Sequence, residues 1–190
     1  MPDTTKRIAF FGGSFNPPHF SHFLAATWAL CTGEVDQIWM TPCAQHAFGK
    51  PLAPFHHRFE MCQLGAQLIS PKIIVSDIEQ DRSGTSYTID TIKLLKQQHP
   101  HKQFRLMIGS DILEQTDSWK DFDELTTLAP LLLVPRAGWH DPDDPTPQLP
   151  QISSTEIRKA ILTQKDTSLL LPQPIRDYIE THKLYQKEIR

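Results

Sequence analysis

The chain has 190 residues, with 19 Lys and Arg against 22 Asp and Glu, so one domain with a net charge of −3 is expected. No global basic field argues for a nucleic-acid partner, so any polyanion site must be local. No apolar run near either end suits a signal peptide or a membrane partner, and three cysteines without CxxC spacing fit a reducing, cytoplasmic setting rather than a disulfide framework.

The first strand is predicted at Arg7–Phe11, nearly all apolar, as a strand buried on both faces should be. Gly12 and Gly13 follow; a ligand can approach their bare backbone, and either can take a positive φ. Pro17 and Pro18 stiffen the next loop, and a helix is predicted from Ser21 with an inward stripe of Leu24, Ala25, Trp28 and Ala29, ending at Gly33. The free N–H groups at that helix start form an anion site, with His19 and His22 at its mouth. A second strand is predicted at Gln37–Thr41, then a loop to Pro54 and a helix whose apolar face is Phe55, Phe59, Cys62, Ala66 and Ile69. His56, His57 and Arg58 fall on its solvated face, with Arg58 also a candidate tie to the preceding loop. A third strand at Ile73–Ser76 leads through a polar turn to a helix starting near Ser86, with Ile89, Ile92 and Leu95 inward. The fourth strand, Phe104–Ile108, ends in Gly109-Ser110-Asp111; helical pieces around Trp119 and over Phe122–Leu128 precede the fifth strand, Leu131–Val134. Arg136–Pro150, rich in Pro and Asp, reads as a long surface loop. Ser153 or Ser154 can cap the next helix, with Glu156 completing a capping-box pattern, and Pro172 and Pro174 introduce the last one.

Strands alternating with helices at these lengths imply an α/β fold, a Rossmann-like doubly wound parallel sheet with helices on both faces and a small C-terminal helical part. The division expected is a single domain over 1–190, with an α/β core to residue 150 and a helical segment from residue 151. Ligands of such sheets bind beyond the carboxyl ends of the strands. Gly12 to His22, Thr41 to Lys50, Asp77 to Thr88, Gly109 to Trp119 and Arg136 should therefore ring one crevice. It would hold three histidines, two or three cations and one carboxylate, with no G-x-S-x-G nucleophile elbow and no Walker A sequence. Many cations and N–H donors without a nucleophile point to phosphoryl or nucleotidyl transfer, where the protein positions reactants and stabilises negative charge. Cys43 and His46 beside the two motif histidines imitate zinc donors by composition, but as a pair they are poor ligands, and no metal-ligating residue is assigned.

Gly12-Gly13-Ser14-Phe15-Asn16-Pro17-Pro18-His19-Phe20-Ser21-His22 resembles the G-x-F-x-P-x-H-x-G-H signature of the HxGH nucleotidyltransferase superfamily. Ile152-Ser153-Ser154-Thr155-Glu156-Ile157-Arg158 resembles its second signature, I-S-S-T-x-I-R. Ser86-Tyr87-Thr88 with Thr91, and Gly109-Ser110-Asp111 with Trp119, are similar to the nicotinate-mononucleotide adenylyltransferases of NAD synthesis. The resemblance implies adenylyl transfer from ATP to nicotinate mononucleotide, with Mg²⁺ accompanying ATP and small molecules as partners; nicotinamide mononucleotide or another phosphorylated acceptor remains open, as does a silent nucleotide-binding module. It implies that His19 and His22 are catalytic and stabilise the α-phosphate transition state. It implies that Gly12, Gly13, Ser14 and Phe15 line the adenosine side, and that Ser153, Ser154, Thr155 and Arg158 hold the outer phosphates. Thr85, Tyr87 and Thr88 would shape the nicotinate pocket, Asp111 would serve a ribose and Trp119 would stack on the pyridine ring. His46 matches the family's loop histidine and Lys50 is the nearest replacement for a loop lysine whose place Ala47 takes; Arg136 is read equally as a further ATP-side cation or a surface arginine. The motif glycine is Ser21 here, which either narrows the phosphate approach or caps the helix. A homo-oligomer is not excluded.

Overall fold

The computed structural model describes residues 6–45, 49–81, 84–137 and 148–187, apart from the side chain of Gln115. These residues form five strands, β1 (Arg7–Gly13), β2 (Gln37–Pro42), β3 (Ile73–Val75), β4 (Gln103–Gly109) and β5 (Leu131–Val134), in one all-parallel sheet of order β3-β2-β1-β4-β5. Six α-helices accompany them: α1 (Phe20–Cys31), α2 (Phe55–Ile69), α3 (Thr88–Gln98), α4 (Phe122–Leu128), α5 (Ser154–Leu162) and α6 (Gln173–Thr181), with a 3₁₀ segment at Ser110–Ser118. None is long and apolar enough to cross a membrane.

The continuous apolar runs of the strands feed two cores because side chains alternate between faces. On β1, Ile8 and Phe10 enter one core and Ala9 the other; on β4, Phe104, Leu106 and Ile108 oppose Met107. One core is closed by Ile89, Ile92 and Leu95 of α3 and Leu125 of α4. The other takes α1 and α2 together with Ile157, Leu171, Ile175, Ile179 and Tyr185. Helices therefore cover both faces, as the alternation implied. From the core shared by the C-terminal residues and the sheet we infer that the chain folds as one domain.

Two helix faces are rotated from their expected phase. In α1, which starts at Phe20, Leu24 is 43% exposed and Phe23 is buried in its place. In α2 the buried face is Arg58, Met61, Cys62, Gly65 and Ala66, while Ile69 is 42% exposed. Both shifts have one cause: Phe23 packs against Gly65, where any Cβ would overlap its ring. That close approach turns Arg58 inward, and its hydrogen bonds (below) compensate its charge. His56 stays exposed as expected, but His57 is half-buried, with Nδ1 2.9 Å from the Tyr178 hydroxyl.

The chain runs β1, β2, β3 in one direction and then returns to place β4 on the far side of β1. The switch in strand order opens a crevice beyond the carboxyl ends of β1 and β4.

Candidate active site

β1 continues through Gly13, so neither glycine of the pair has a positive φ; the left-handed residue is Phe15, at φ 43°. The glycines are needed for packing: a Cβ on Gly12 would lie 2.8 Å from the Phe10 ring, and one on Gly13 3.0 Å from the Phe15 ring. Gly12 is left exposed beside the crevice.

His19 is the N-cap residue of α1, and its backbone N–H donates to Nδ1 of His22 at 3.1 Å. Because Nδ1 accepts, the proton of a neutral His22 sits on Nε2. The two imidazoles stack at 3.7 Å, and the Phe15 ring meets His22 edge-on at 4.9 Å. His19 is only 3% exposed and its Nδ1 has no hydrogen-bond partner, whereas His22 lines the crevice. Burial, with the Arg136 charge adding, pushes the His19 pKa down to about 3. Burial, then His19 and Arg136, holds His22 well below its usual range. Both rings are neutral at physiological pH, and His22 offers an Nε2–H donor.

The crevice is a cavity of about 200 Å³ that brings Gly12, Ser21, His22, Asp111, Trp119 and Arg136 together. Arg136 donates its Nη1 to Asp111 Oδ2 at 3.1 Å and its backbone N–H to Ser110 Oγ at 3.1 Å. It is therefore a crevice residue, although half of the expectation had it on the surface. Asp111 Oδ1 is buried with no hydrogen-bond partner among the described residues. Gly109 makes this pairing fit, since a Cβ there would collide with Asp111 Oδ1 and with Arg136 Cδ. Trp119 is half-buried, one edge against Phe122 at a centroid distance of 6.1 Å.

The second motif docks on the first. Ser153 is the N-cap residue of α5, but its side chain makes no capping bond, so the capping box does not form. Ser154 Oγ instead donates to the Pro17 carbonyl at 2.9 Å. Arg158 donates Nη1 to the Asn16 carbonyl at 2.8 Å and Nη2 to Thr155 Oγ1 at 3.2 Å. The Ser154 hydroxyl goes to the motif loop because that loop presents carbonyls that have no strand to pair with. Ser21 neither caps α1 nor projects at a phosphate: its Oγ donates to the Pro150 carbonyl at 2.7 Å. Ser21→Ala should cost about 1 kcal/mol. That lowers the thermal midpoint by about 2–4 °C in a protein of this size. An unchanged midpoint in differential scanning calorimetry would show that the clasp contributes nothing.

The remaining expected residues are not among those lining this cavity. Ser14 is half-buried, its carbonyl accepting Arg58 Nη1 at 2.8 Å. Thr85 is exposed; Tyr87 is 38% exposed with Lys120 Nζ 5.0 Å over its ring; Thr88 is the first residue of α3. Lys50 is exposed, and no hydrogen bond or ion pair among the described residues ties it to the histidines. His46 and most of the Arg136–Pro150 loop lie outside the described residues.

Several buried polar residues have structural roles that the sequence reading did not assign. Glu79, 4% exposed, accepts the Ala44 N–H at 3.2 Å and the Thr91 hydroxyl at 2.6 Å. Ser86 Oγ accepts the Gln45 N–H at 3.3 Å. Ser86 and Thr91, which the resemblance associated with substrate, thus hold the loop after β2. Asn16 is 1% exposed, and Arg58, read both on the solvated face and as a candidate tie to the preceding loop, is also 1% exposed and makes that tie. A charged residue within a buried helical stripe was the available signal for Arg58; nothing in the local sequence marked Glu79. Among the described residues no group of three or more His, Cys, Asp and Glu could hold a metal ion.

The cytidylyltransferase-like family model matches residues 10–160. The chain is 41% identical over 184 residues to the probable nicotinate-nucleotide adenylyltransferase of Anaeromyxobacter dehalogenans, covering 95% of this chain and 97% of that one. It is 36% identical over 189 residues to the nicotinate-nucleotide adenylyltransferase of Bacillus subtilis, covering 95% and 99%. The solved structure of Plasmodium falciparum nicotinic acid mononucleotide adenylyltransferase complexed with NaAD superposes with a TM-score of 0.82 at 25% identity, covering 97% of this chain and 100% of that one. With the second motif docked on the first and the family match spanning both, the chain belongs to the cytidylyltransferase-like family and, within it, to the nicotinate-nucleotide adenylyltransferases.

Proposed function

We propose that the chain transfers the adenylyl group of ATP to nicotinate mononucleotide, giving nicotinate adenine dinucleotide and pyrophosphate in NAD biosynthesis. The observation that carries this reading is the docking of the α5 start on the first-motif loop, the loop that leads into His22 at the cavity shared with Asp111, Trp119 and Arg136. The curated relatives carry the same activity in their names, and the Plasmodium protein was solved with NaAD.

A phosphate oxygen of the mononucleotide attacks the α-phosphorus of ATP; that P–O bond forms as the bond to pyrophosphate breaks. The attacking oxygen is already anionic, so no general base is needed. What the protein supplies is placement and charge. His22 donates Nε2–H to a non-bridging α-phosphate oxygen, and His19, stacked behind it, fixes its tautomer through the backbone N–H. Gly12, Gly13, Ser14 and Phe15 form the adenosine side, joined by His46 and Lys50 from the loop after β2. Ser153, Ser154, Thr155 and Arg158 at the α5 start receive the outer phosphates, where N–H groups and a cation favour negative charge. Arg136 adds a cation from the opposite wall, held by Asp111. Asp111 Oδ1, without a protein partner, is free to accept from a ribose hydroxyl. The indole of Trp119 faces the pyridine ring, and Thr85, Tyr87 and Thr88 at the α3 start face its carboxylate. Mg²⁺ arrives as part of the ATP substrate, in keeping with an ion that binds phosphates with few protein ligands. The enzyme works in the cytoplasm on small molecules.

The direct test is adenylylation with nicotinate and nicotinamide mononucleotides side by side, with ATP and Mg²⁺. Pyrophosphate release with the nicotinate form at a higher kcat/KM supports the reading; ATP binding without turnover on either sinks it. Trp119→Ala should raise KM for the mononucleotide by about tenfold, matching the loss of ~1.4 kcal/mol of ring contact. KM for ATP should change less than twofold in ~0.4 kcal/mol terms. Equal effects on the two constants would mean that Trp119 only packs against Phe122.

A further inference from the structure

Tyr185, near the C-terminal end of the described chain, is 6% exposed and sits in the left-handed backbone region at φ 61°. A bulky side chain rarely adopts that conformation, so its contacts must hold it there. Its hydroxyl donates to Asn16 Oδ1 at 2.9 Å. The same oxygen accepts the Ala53 N–H at 3.1 Å, which fills both of its lone pairs. Asn16 is itself 1% exposed, and its backbone carbonyl is the acceptor of Arg158 Nη1. A packed phenylalanine would fill the same volume, so the hydroxyl is there for its bond. Burial raises the phenol's pKa, which keeps the O–H protonated and donating.

We propose that Tyr185 is a positioning residue for ATP. Its hydroxyl fixes the side chain of Asn16, and with it the carbonyl that aims the Arg158 guanidinium. Nη1 donates to Asn16 and Nη2 to Thr155, and a guanidinium carries five N–H groups, so donors remain for a phosphate. The inference rests on the reading of Arg158 as a phosphate-binding residue. It extends the ATP side of the site to a residue 169 positions away from Asn16 in the chain.

The test is a double-mutant cycle in steady-state kinetics on the full chain, with Tyr185→Phe, Arg158→Ala and the pair, below the thermal midpoint of every variant. Tyr185→Phe keeps the ring in the core and removes one oxygen. It should raise KM for ATP by about three- to tenfold, the range expected for one buried hydrogen bond. KM for nicotinate mononucleotide should stay within about twofold. In the Arg158→Ala background, Tyr185→Phe should add nothing to KM for ATP. Additive effects overturn the inference alone, as does a fall in thermal midpoint with both Michaelis constants unchanged. An unchanged KM for ATP in Arg158→Ala overturns both the inference and the phosphate-binding reading beneath it.

Discussion

His22→Ala retains the fold and turns over about 10²-fold more slowly than the wild type, or slower still, because a preorganised donor to the transition-state charge is lost. The imidazole cannot be replaced by water at equal value. Its Nδ1 is committed to the His19 N–H, which fixes the ring and points Nε2–H into the crevice before substrate arrives. A donor whose bond strengthens only as charge develops on the α-phosphate affects kcat, so KM for either substrate should move little. Turnover near wild type in a single-turnover assay would exclude the role. The same burial has a signature in pH. The folded pKa of His19 is pushed down to about 3 and that of His22 well below its usual value, whereas in the unfolded chain both titrate near 6.5. Below about pH 6.5 the unfolded chain therefore binds more protons, and stability falls as pH drops. The contribution is complete above that pH and is lost progressively toward the folded values. The wild-type thermal midpoint should fall between about pH 7 and pH 5, and the fall should be shallower in His22→Ala. Equal slopes would show that the histidines are not held neutral.

The sheet and the crevice were legible because each rests on local pattern. Short apolar runs such as Phe104–Ile108 mark strands, and the strand-end rule alone placed His22, Asp111 and Arg136 around one cavity. Helix phase was less legible. Phe55, Phe59 and Ile69 fit a helical stripe as well as Met61 and Gly65 do, and only the entry of Phe23 over Gly65 chooses between them. Apart from the tie of Arg58 to the loop before it, the polar bracing was not legible. Ser154 to Pro17 and Arg158 to Asn16 join residues 137 and 142 positions apart. Backbone carbonyls accept these bonds, and every residue has one, so no side-chain type signals the acceptor. Serine capping was a sound local inference, but Ser153 makes no capping bond and the neighbouring Ser154 hydroxyl goes to a long-range carbonyl instead.

Arg58→Met should be the most damaging single substitution for stability, costing about 3 kcal/mol or more. Arg58 donates Nε to the Ala53 carbonyl at 2.8 Å, Nη1 to Ser14 at 2.8 Å and Nη2 to Cys43 and Ala44 at 2.7 and 3.4 Å. No ion pair to a carboxylate joins it among the described residues; the first-motif loop and both ends of the β2–α2 loop converge on it, and their carbonyl dipoles stabilise the cation. Burial lowers its pKa, yet an arginine stays charged far above physiological pH. When a buried ion pair is replaced as a whole by apolar groups, the exchange is often neutral, because both polar partners leave together. Here the partners are main-chain carbonyls and cannot leave. Methionine fills the volume and strands each of them, at about 1–3 kcal/mol apiece before any water enters. With a total stability of about 5–15 kcal/mol, that is a large fraction. The thermal midpoint should drop by about 6–12 °C or more. Arg58→Lys should fall between, since an ammonium keeps the charge but cannot span carbonyls on opposite edges of a planar fork. The order wild type, Lys, Met in calorimetry tests the geometry; a Met variant as stable as the Lys variant would mean that charge and reach do not matter at this position. Because one of the four carbonyls belongs to Ser14, the substitution also frees the first-motif loop. The surviving folded fraction should therefore show a raised KM for ATP, which links the most buried cation among the described residues to the substrate proposed for the first-motif loop.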